Sequence, residues 1–433
     1  MEPKVLLKKF FMSALISNTR LNFSRLKHRI KRKDIPIVHY FHQVDDPYSH
    51  LAVQKISMLK ENYDISFKFH LCGPPSKDEQ GDSSRFHSWA LADARNISEH
   101  YKTKLPRGIN KISENQKIVA EEKLSRELNG HHFTETAIEL GEKLWSGQTL
   151  PLTGSKTIEP TRGSNLRKKL GHWLSGTFYY EGEWYWGVDR LLHLESRLVE
   201  AGLGSANAPP CVPRPHESPG EPFEEKDLTL EFFPSLRSPY SAICFDRVVA
   251  LANETGVKLK TLPVMPMMMR GVKASRSKQF YILTDAKREA VYYGQAFGPI
   301  VDPIGEPVIE AFKLLTAMIK MDKETEYCGN YLKAAWSEGI DITRPEGLKK
   351  VVERTGVSWN KVTEEKEASG WEAILDKNLS RMLEFGFWGV PSFNLTGGDA
   401  EDFSCWGQDR LWLLRHEIEK RTIKKKPNER VWK

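Results

Sequence analysis

The chain has no Cys-x-x-Cys pair and no Cys/His cluster with metal-ligand spacing. Its five cysteines, Cys72, Cys211, Cys244, Cys328 and Cys405, are scattered along 433 residues. That pattern excludes a disulfide framework, a structural metal and a dithiol redox centre, and it fits a reducing, cytoplasmic setting. Also missing is any run near the ~20 apolar residues of a membrane span. Residues 10–16 are apolar and follow Lys8-Lys9, but the run is short and a second basic cluster comes next. No small-x-small cleavage site follows it, so it does not read as a signal peptide; an interfacial amphipathic helix is the alternative there to a solvated arm. Net positive charge is missing from the body of the chain. Residues 1–34 hold ten Lys/Arg against two acids and residues 420–433 seven against one, which together exceed the whole net charge of +7. A mildly acidic body argues against a nucleic-acid-binding face.

What is present is one pattern written twice. A chain of this length exceeds one ordinary core and implies two or three domains. Residues 35–41 read as a strand leading to Asp46-Pro47-Tyr48-Ser49, and Leu228–Phe233 as a strand leading to Ser238-Pro239-Tyr240-Ser241. Leu91-Ala92-Asp93-Ala94 recurs as Leu283-Thr284-Asp285-Ala286. Gly171–Phe178 parallels Gly386–Phe393, and Trp186-Gly187-Val188-Asp189-Arg190-Leu191 parallels Trp406-Gly407-Gln408-Asp409-Arg410-Leu411. Matches in one order at similar spacing indicate tandem duplication rather than a solenoid. The expected division is a basic arm at 1–34, a first domain at 35–201, and a Pro/Gly-rich linker at 202–226. A second domain follows at 227–420, then a basic tail at 421–433.

In the second copy Leu228, Leu230 and Phe232 alternate onto one face of a strand. Ser238 then stands as helix N-cap with Pro239 at the first helical position, where its missing N–H costs nothing. Such a strand-to-helix turn suits an anion, because unpaired N–H groups and the positive dipole end point there. In redox proteins of the thioredoxin fold such a turn carries Cys-x-x-Cys; here Ser238 and Ser241 stand at both sulfur positions, so this site cannot cycle a disulfide but can hold another molecule's thiolate. Val257–Leu262 follows as a second, parallel strand in a right-handed βαβ unit. Helical patterns run from Val308 to Ile319, Ala334 to Val352 and Asp376 to Phe385. A hairpin then straddles Gly397-Gly398-Asp399, and a closing helix presents Leu411, Leu414 and Ile418. The fold class is therefore α/β: tandem thioredoxin-like domains, each with an inserted helical subdomain.

With these landmarks, residues 227–420 resemble the family of 2-hydroxychromene-2-carboxylate isomerases and kappa-class glutathione transferases, a DsbA-like branch of the thioredoxin fold. Residues 36–200 resemble it more weakly. The motifs are Ser-Pro-Tyr-Ser at 238–241, Gly-Val-Pro at 389–391 and Trp-Gly-Gln-Asp-Arg at 406–410. The resemblance implies glutathione as cofactor, lying along the strand after a cis-Pro391. Val390 would pair with its cysteinyl part, and Gly407, Gln408 and Asp409 would meet its γ-glutamyl end. Ser238 would donate to the sulfur as the catalytic group. Tyr240, Met265, Met267, Met268 and Met269 would line an adaptable substrate pocket. The implied reaction is thiolate addition to, and elimination from, an aromatic-derived unsaturated acid. In the transferase alternative the sulfur stays on the substrate.

Two departures qualify the resemblance. No asparagine stands in the loop after the second strand, where Arg270 or Lys273 would have to grip a ligand carboxylate. In the first copy Asp46 replaces the serine and Gly176 stands at the proline position. That copy reads as inactive toward glutathione and as a built-in partner, giving an intramolecular pseudo-dimer. Plainer readings stand beside these: Ser238 as a helix cap, Pro391 as a trans edge-strand residue, the methionines as core, and Asp409-Arg410 as a local ion pair. A non-catalytic thioredoxin-fold scaffold is the alternative from a different class. A disulfide oxidoreductase is disfavoured by the missing cysteine pair.

Overall fold

The computed structural model describes residues 3–31, 35–151, 155–215, 227–366, 370–398 and 400–424. Part of the expected linker, Asp399 of the hairpin turn and most of the basic tail lie outside the described residues. The chain forms two compact units. The amino-terminal unit comprises Leu21–Pro215 with Ala274–Tyr281. The carboxy-terminal unit comprises the described residues of Met1–Arg20, His216–Lys273 and Ile282–Lys433.

In the amino-terminal unit, strands β1 (Ile37–His42), β2 (Ser66–Leu71), β3 (Thr177–Tyr180) and β4 (Glu183–Trp186) form one sheet in the order β2-β1-β3-β4. Strands β1 and β2 are parallel, joined through the Pro47–Val53 and Ile56–Asn62 helices, and the other pairings are antiparallel. Helices Phe86–Ser98, Glu114–Glu127, Phe133–Trp145 and Glu159–Leu170 lie between β2 and β3, and Leu191–Glu200 closes the unit. Aromatic residues dominate its core. Tyr40 and Phe178, cross-strand partners, are fully buried with ring centroids 4.8 Å apart. Such pairs add ~1 kcal/mol to the burial itself.

The carboxy-terminal unit repeats this plan. Strands β5 (Leu228–Phe233), β6 (Lys258–Thr261), β7 (Ser392–Gly397) and β8 (Phe403–Trp406) take the order β6-β5-β7-β8, with β5 and β6 parallel. The Pro239–Thr255 helix makes the crossover and ends at Gly256, whose φ of 66° places it in the left-handed region that glycine tolerates. Residues from Ile282 to Glu384, in six helical segments with further turns, form the insertion. As alternation requires, Leu228, Leu230 and Phe232 share the core face and pack with Phe393 and Leu395. Phe232 and Phe393 stack at 5.2 Å.

The first residues are not a solvated arm. Helices α1 (Pro3–Leu15) and α2 (Asn18–Lys31) form there. Ile16 is buried in the core of the carboxy-terminal unit, and Val5 and Met12 pack against it. The ammonium of Lys9 donates to the Gly339 carbonyl at 2.7 Å, and Lys8 pairs with Asp302 at 2.9 Å. In the amino-terminal unit Arg25 of α2 pairs with Glu183 at 2.9 Å and Glu200 at 2.6 Å. Apolar residues at helical spacing, fastened by ion pairs to carboxylates elsewhere in each unit, outweigh the solvation of the basic run.

Candidate functional site

Register places the site at one end of the carboxy-terminal sheet. Phe233 pairs with Ser392, and Ser392 with Trp406. Residues just after β5, just before β7 and just after β8 therefore emerge together. Thr261, the last residue of β6, pairs with Phe232, so the methionine loop leaves the sheet at this end too. Ser238, Val390-Pro391, Gly407–Asp409 and Met265–Met269 thus converge although they lie far apart in sequence.

The Ser238 hydroxyl accepts the Ser241 N–H at 3.1 Å and so caps the helix. Its own O–H has no acceptor among the described residues. The second hydroxyl of the motif, Ser241, faces inward and accepts the Ser235 N–H at 3.2 Å. A pair of hydroxyls with these two environments can donate outward from one position only, that of Ser238.

The Val390–Pro391 peptide is cis, as is Gly298–Pro299. Pro391 is committed through its carbonyl, which accepts the Gly407 N–H at 3.0 Å. Among the described residues neither the N–H nor the C=O of Val390 has a hydrogen-bond partner. Beside it Gly389 lies flat against Trp406: a Cβ there would sit 1.9 Å from the indole. Gly407 has φ 126°, and a Cβ on it would come 2.5 Å from the Asp409 carboxylate, which folds over this glycine. Asp409 is 8% exposed and lies 3.5 Å from Arg410. Gln408 is buried with its amide committed internally. Its oxygen accepts from Arg247 at 2.9 Å and its nitrogen donates to Glu289.

The pocket residues divide. Met267–Arg270 form a 3-10 turn, with all three methionines half-buried. Met265 and Met269 touch the core, and the Met268 sulfur accepts from Arg237 at 3.1 Å. Tyr240 donates to the Asp285 carboxylate at 2.7 Å. Arg270, one of two candidates for gripping a ligand carboxylate, instead donates to the carbonyls of Met265 at 3.0 Å and Trp388 at 2.8 Å. It thereby ties the methionine loop to the approach of β7. Lys273 is exposed. Sequence reasoning missed Arg237, which forks onto Asp302 at 2.8 and 3.1 Å directly before Ser238. Burial pushes the Asp302 carboxyl up, but the hydrogen bonds and charges of Arg237 and Lys8 outweigh it and hold the group below its ordinary range. Neither partner belongs to a recognisable motif, so only the structure reveals the pair.

At the matching end of the amino-terminal sheet the groups differ. Asp46 caps its helix by accepting from Ser49 N–H at 2.8 Å and from the Ser49 hydroxyl at 2.6 Å. Burial raises its carboxyl to about 6 against these hydrogen bonds. Gly176 has φ 63°, donates to the Phe41 carbonyl at 2.9 Å, and accepts from Gly187 N–H at 2.9 Å. A Cβ on Gly176 would meet the Ser49 nitrogen at 2.8 Å. Arg167 donates to the Ser175 hydroxyl, the position matching Val390, and to the Gly73 carbonyl at 3.2 Å. Here the edge is occupied by the protein itself. Among the described residues no group of three or more metal-ligating side chains occurs in either unit.

A parallel βα unit, an inserted helical subdomain, an antiparallel hairpin and a closing helix define a thioredoxin fold of the DsbA type. Residues 229–419 match the family model of the DSBA-like thioredoxin domain. Glutathione S-transferase kappa 1 of Caenorhabditis elegans is 23% identical over 206 residues, covering 43% of this chain and 88% of that protein. Among solved structures, a 2-hydroxychromene-2-carboxylate isomerase is 20% identical, covers 45% of this chain and 97% of its own, and has a TM-score of 0.37. The cytosolic disulfide reductase DsbM from Pseudomonas aeruginosa is 17% identical, covering 45% and 98%, with a TM-score of 0.35.

Proposed function

We propose that the carboxy-terminal unit is a glutathione-dependent enzyme of the 2-hydroxychromene-2-carboxylate isomerase type. The observation that carries this reading is the pairing of two unfilled hydrogen-bonding features at one sheet end. One is the Ser238 hydroxyl at a helix N-terminus, and the other is the unpaired backbone of Val390. A tripeptide laid along Val390 gains two main-chain hydrogen bonds by strand addition and brings its sulfur toward Ser238. Donation from Ser238, together with the helix dipole, favours the thiolate over the thiol. Asp409 receives the γ-glutamyl ammonium, near Gly407 and Gln408. The kappa glutathione transferase relative supports glutathione as the ligand.

The thiolate attacks an electron-poor double bond of an aromatic-derived acid and forms a carbon–sulfur bond. The former double bond then rotates as a single bond, and β-elimination returns thiolate and isomerised alkene. Tyr240 and Met265–Met269 border the space for this substrate. A transferase would stop after addition. Dithiol–disulfide exchange is disfavoured because Ser238 and Ser241 occupy both sulfur positions and none of the five cysteines is joined in a disulfide. The amino-terminal unit is the inactive copy and, on this reading, serves as an intramolecular pseudo-dimer partner. Retention on glutathione resin, lost in Asp409→Ala, is the expected result. Flow-through of the wild-type chain would favour a non-catalytic scaffold instead.

A further inference from the structure

Half of the large apolar side chains exposed among the described residues fall within two short helices. They are Leu6 57%, Leu7 70%, Phe10 73% and Phe11 60% on α1, and Phe23 71%, Leu26 52% and Ile30 73% on α2. Such clustering differs from the scattered single apolar residues of an ordinary surface. On α1 the four residues share a face, at i, i+1, i+4 and i+5, while Val5, Met12 and Ile16 occupy the packed side. On α2 Phe23, Leu26 and Ile30 stand at i, i+3 and i+7, and Arg25 fastens the helix through Glu183 and Glu200. Each helix is therefore apolar on a face that the described residues of its own unit leave uncovered. Exposed Arg20, Lys27 and Arg29 flank the α2 stripe. Residues 3–31 hold eight Lys/Arg and no acid.

We infer that each of these helices gives its own unit a contact with an anionic lipid bilayer surface, lying in the interface and not spanning it. Aromatic and leucine side chains with a basic surround match the acyl boundary and headgroups of such a membrane. On α2 charge selects this occupant over a second copy of the chain, because a self-contact through that face would bring Arg20, Lys27 and Arg29 against their own copies. No helix among the described residues is long and apolar enough to cross a membrane. This inference is independent of the glutathione site.

The test is sedimentation of the full chain with vesicles of phosphatidylcholine alone, or with about a third phosphatidylglycerol, near physiological salt. The expected result is capture by the anionic vesicles only, reversed by high salt. Phe10→Ser with Phe11→Ser, and separately Leu26→Ser with Ile30→Ser, should each weaken partition about ten-fold or more, with circular dichroism unchanged. Phe10→Trp should shift its emission to the blue on anionic vesicles and be quenched by brominated lipid. No capture by anionic vesicles, or capture that neither double substitution weakens, overturns the inference. So does a concentration-dependent dimer that the same substitutions abolish, which would assign the faces to a second copy.

Discussion

The Tyr240 hydroxyl donates to the Asp285 carboxylate at 2.7 Å across the turn-helix junction and the inserted subdomain. The same relationship recurs in the other unit, where Tyr48 donates to Asp93 at 2.5 Å. The pair is kept in the copy that lacks the candidate site, so it holds the insertion to the thioredoxin core in both. Tyr240→Phe removes a donor to a carboxylate that is 1% exposed, and should cost ~1–3 kcal/mol in chemical denaturation with glutathione affinity retained. Loss of turnover at unchanged stability would give the Tyr240 hydroxyl a part in the reaction and contradict this purely structural role.

Ser238 combines a cap with a free O–H donor, and two substitutions separate these. Ser238→Ala should cost ~1 kcal/mol and raise the thiol pKa of bound glutathione, read from thiolate absorbance against pH. Ser238→Asp retains a capping acceptor but donates nothing at neutral pH. It should restore the helix cap and still leave turnover at least ten-fold down. Equal turnover in Ser238→Asp and wild type would remove Ser238 from the chemistry.

Arg270 joins two loops through main-chain carbonyls. Arg270→Ala should therefore lower stability by ~2 kcal/mol and raise KM for glutathione while changing kcat little. A ligand-gripping Arg270 would give the opposite pattern in the melt: binding lost at an unchanged transition.

The amino-terminal unit should be the acid-labile one. Burial lowers His42 to about 3, His50 to about 4, His70 to about 4 and His172 to about 3. Each stays neutral when folded and takes up a proton on unfolding below about pH 6.5, so stability falls as pH drops. Burial raises Asp46 to about 6 and Glu121 to about 7, and their protonation in the fold acts in the opposite direction. By pH 5 the four imidazoles remove ~2 kcal/mol each and the two carboxyls together return ~4, a net loss of ~4 kcal/mol. Amide exchange should show protection falling in the amino-terminal unit between pH 7 and 5. An increase in protection would contradict the sign.

The duplicated architecture was legible because strand alternation, the helix cap and the Trp-Gly-x-Asp-Arg ends are local patterns. What stayed hidden depends on partners distant in sequence. Nothing in Arg270 announces that its targets are carbonyls, one of them at Trp388. Gln408 reads as a ligand contact until Arg247 and Glu289 are seen to hold its amide. The basic arm misled because charge density obscured Val5, Met12 and Ile16, whose helical spacing packs α1 into a core.

Titration calorimetry of the full chain with reduced glutathione tests the central claim most directly. The account predicts one glutathione per chain, at Val390 and Ser238, and no measurable binding in Asp409→Ala. Two glutathiones per chain would contradict the inactive first copy, and no heat at millimolar ligand would contradict the glutathione site itself.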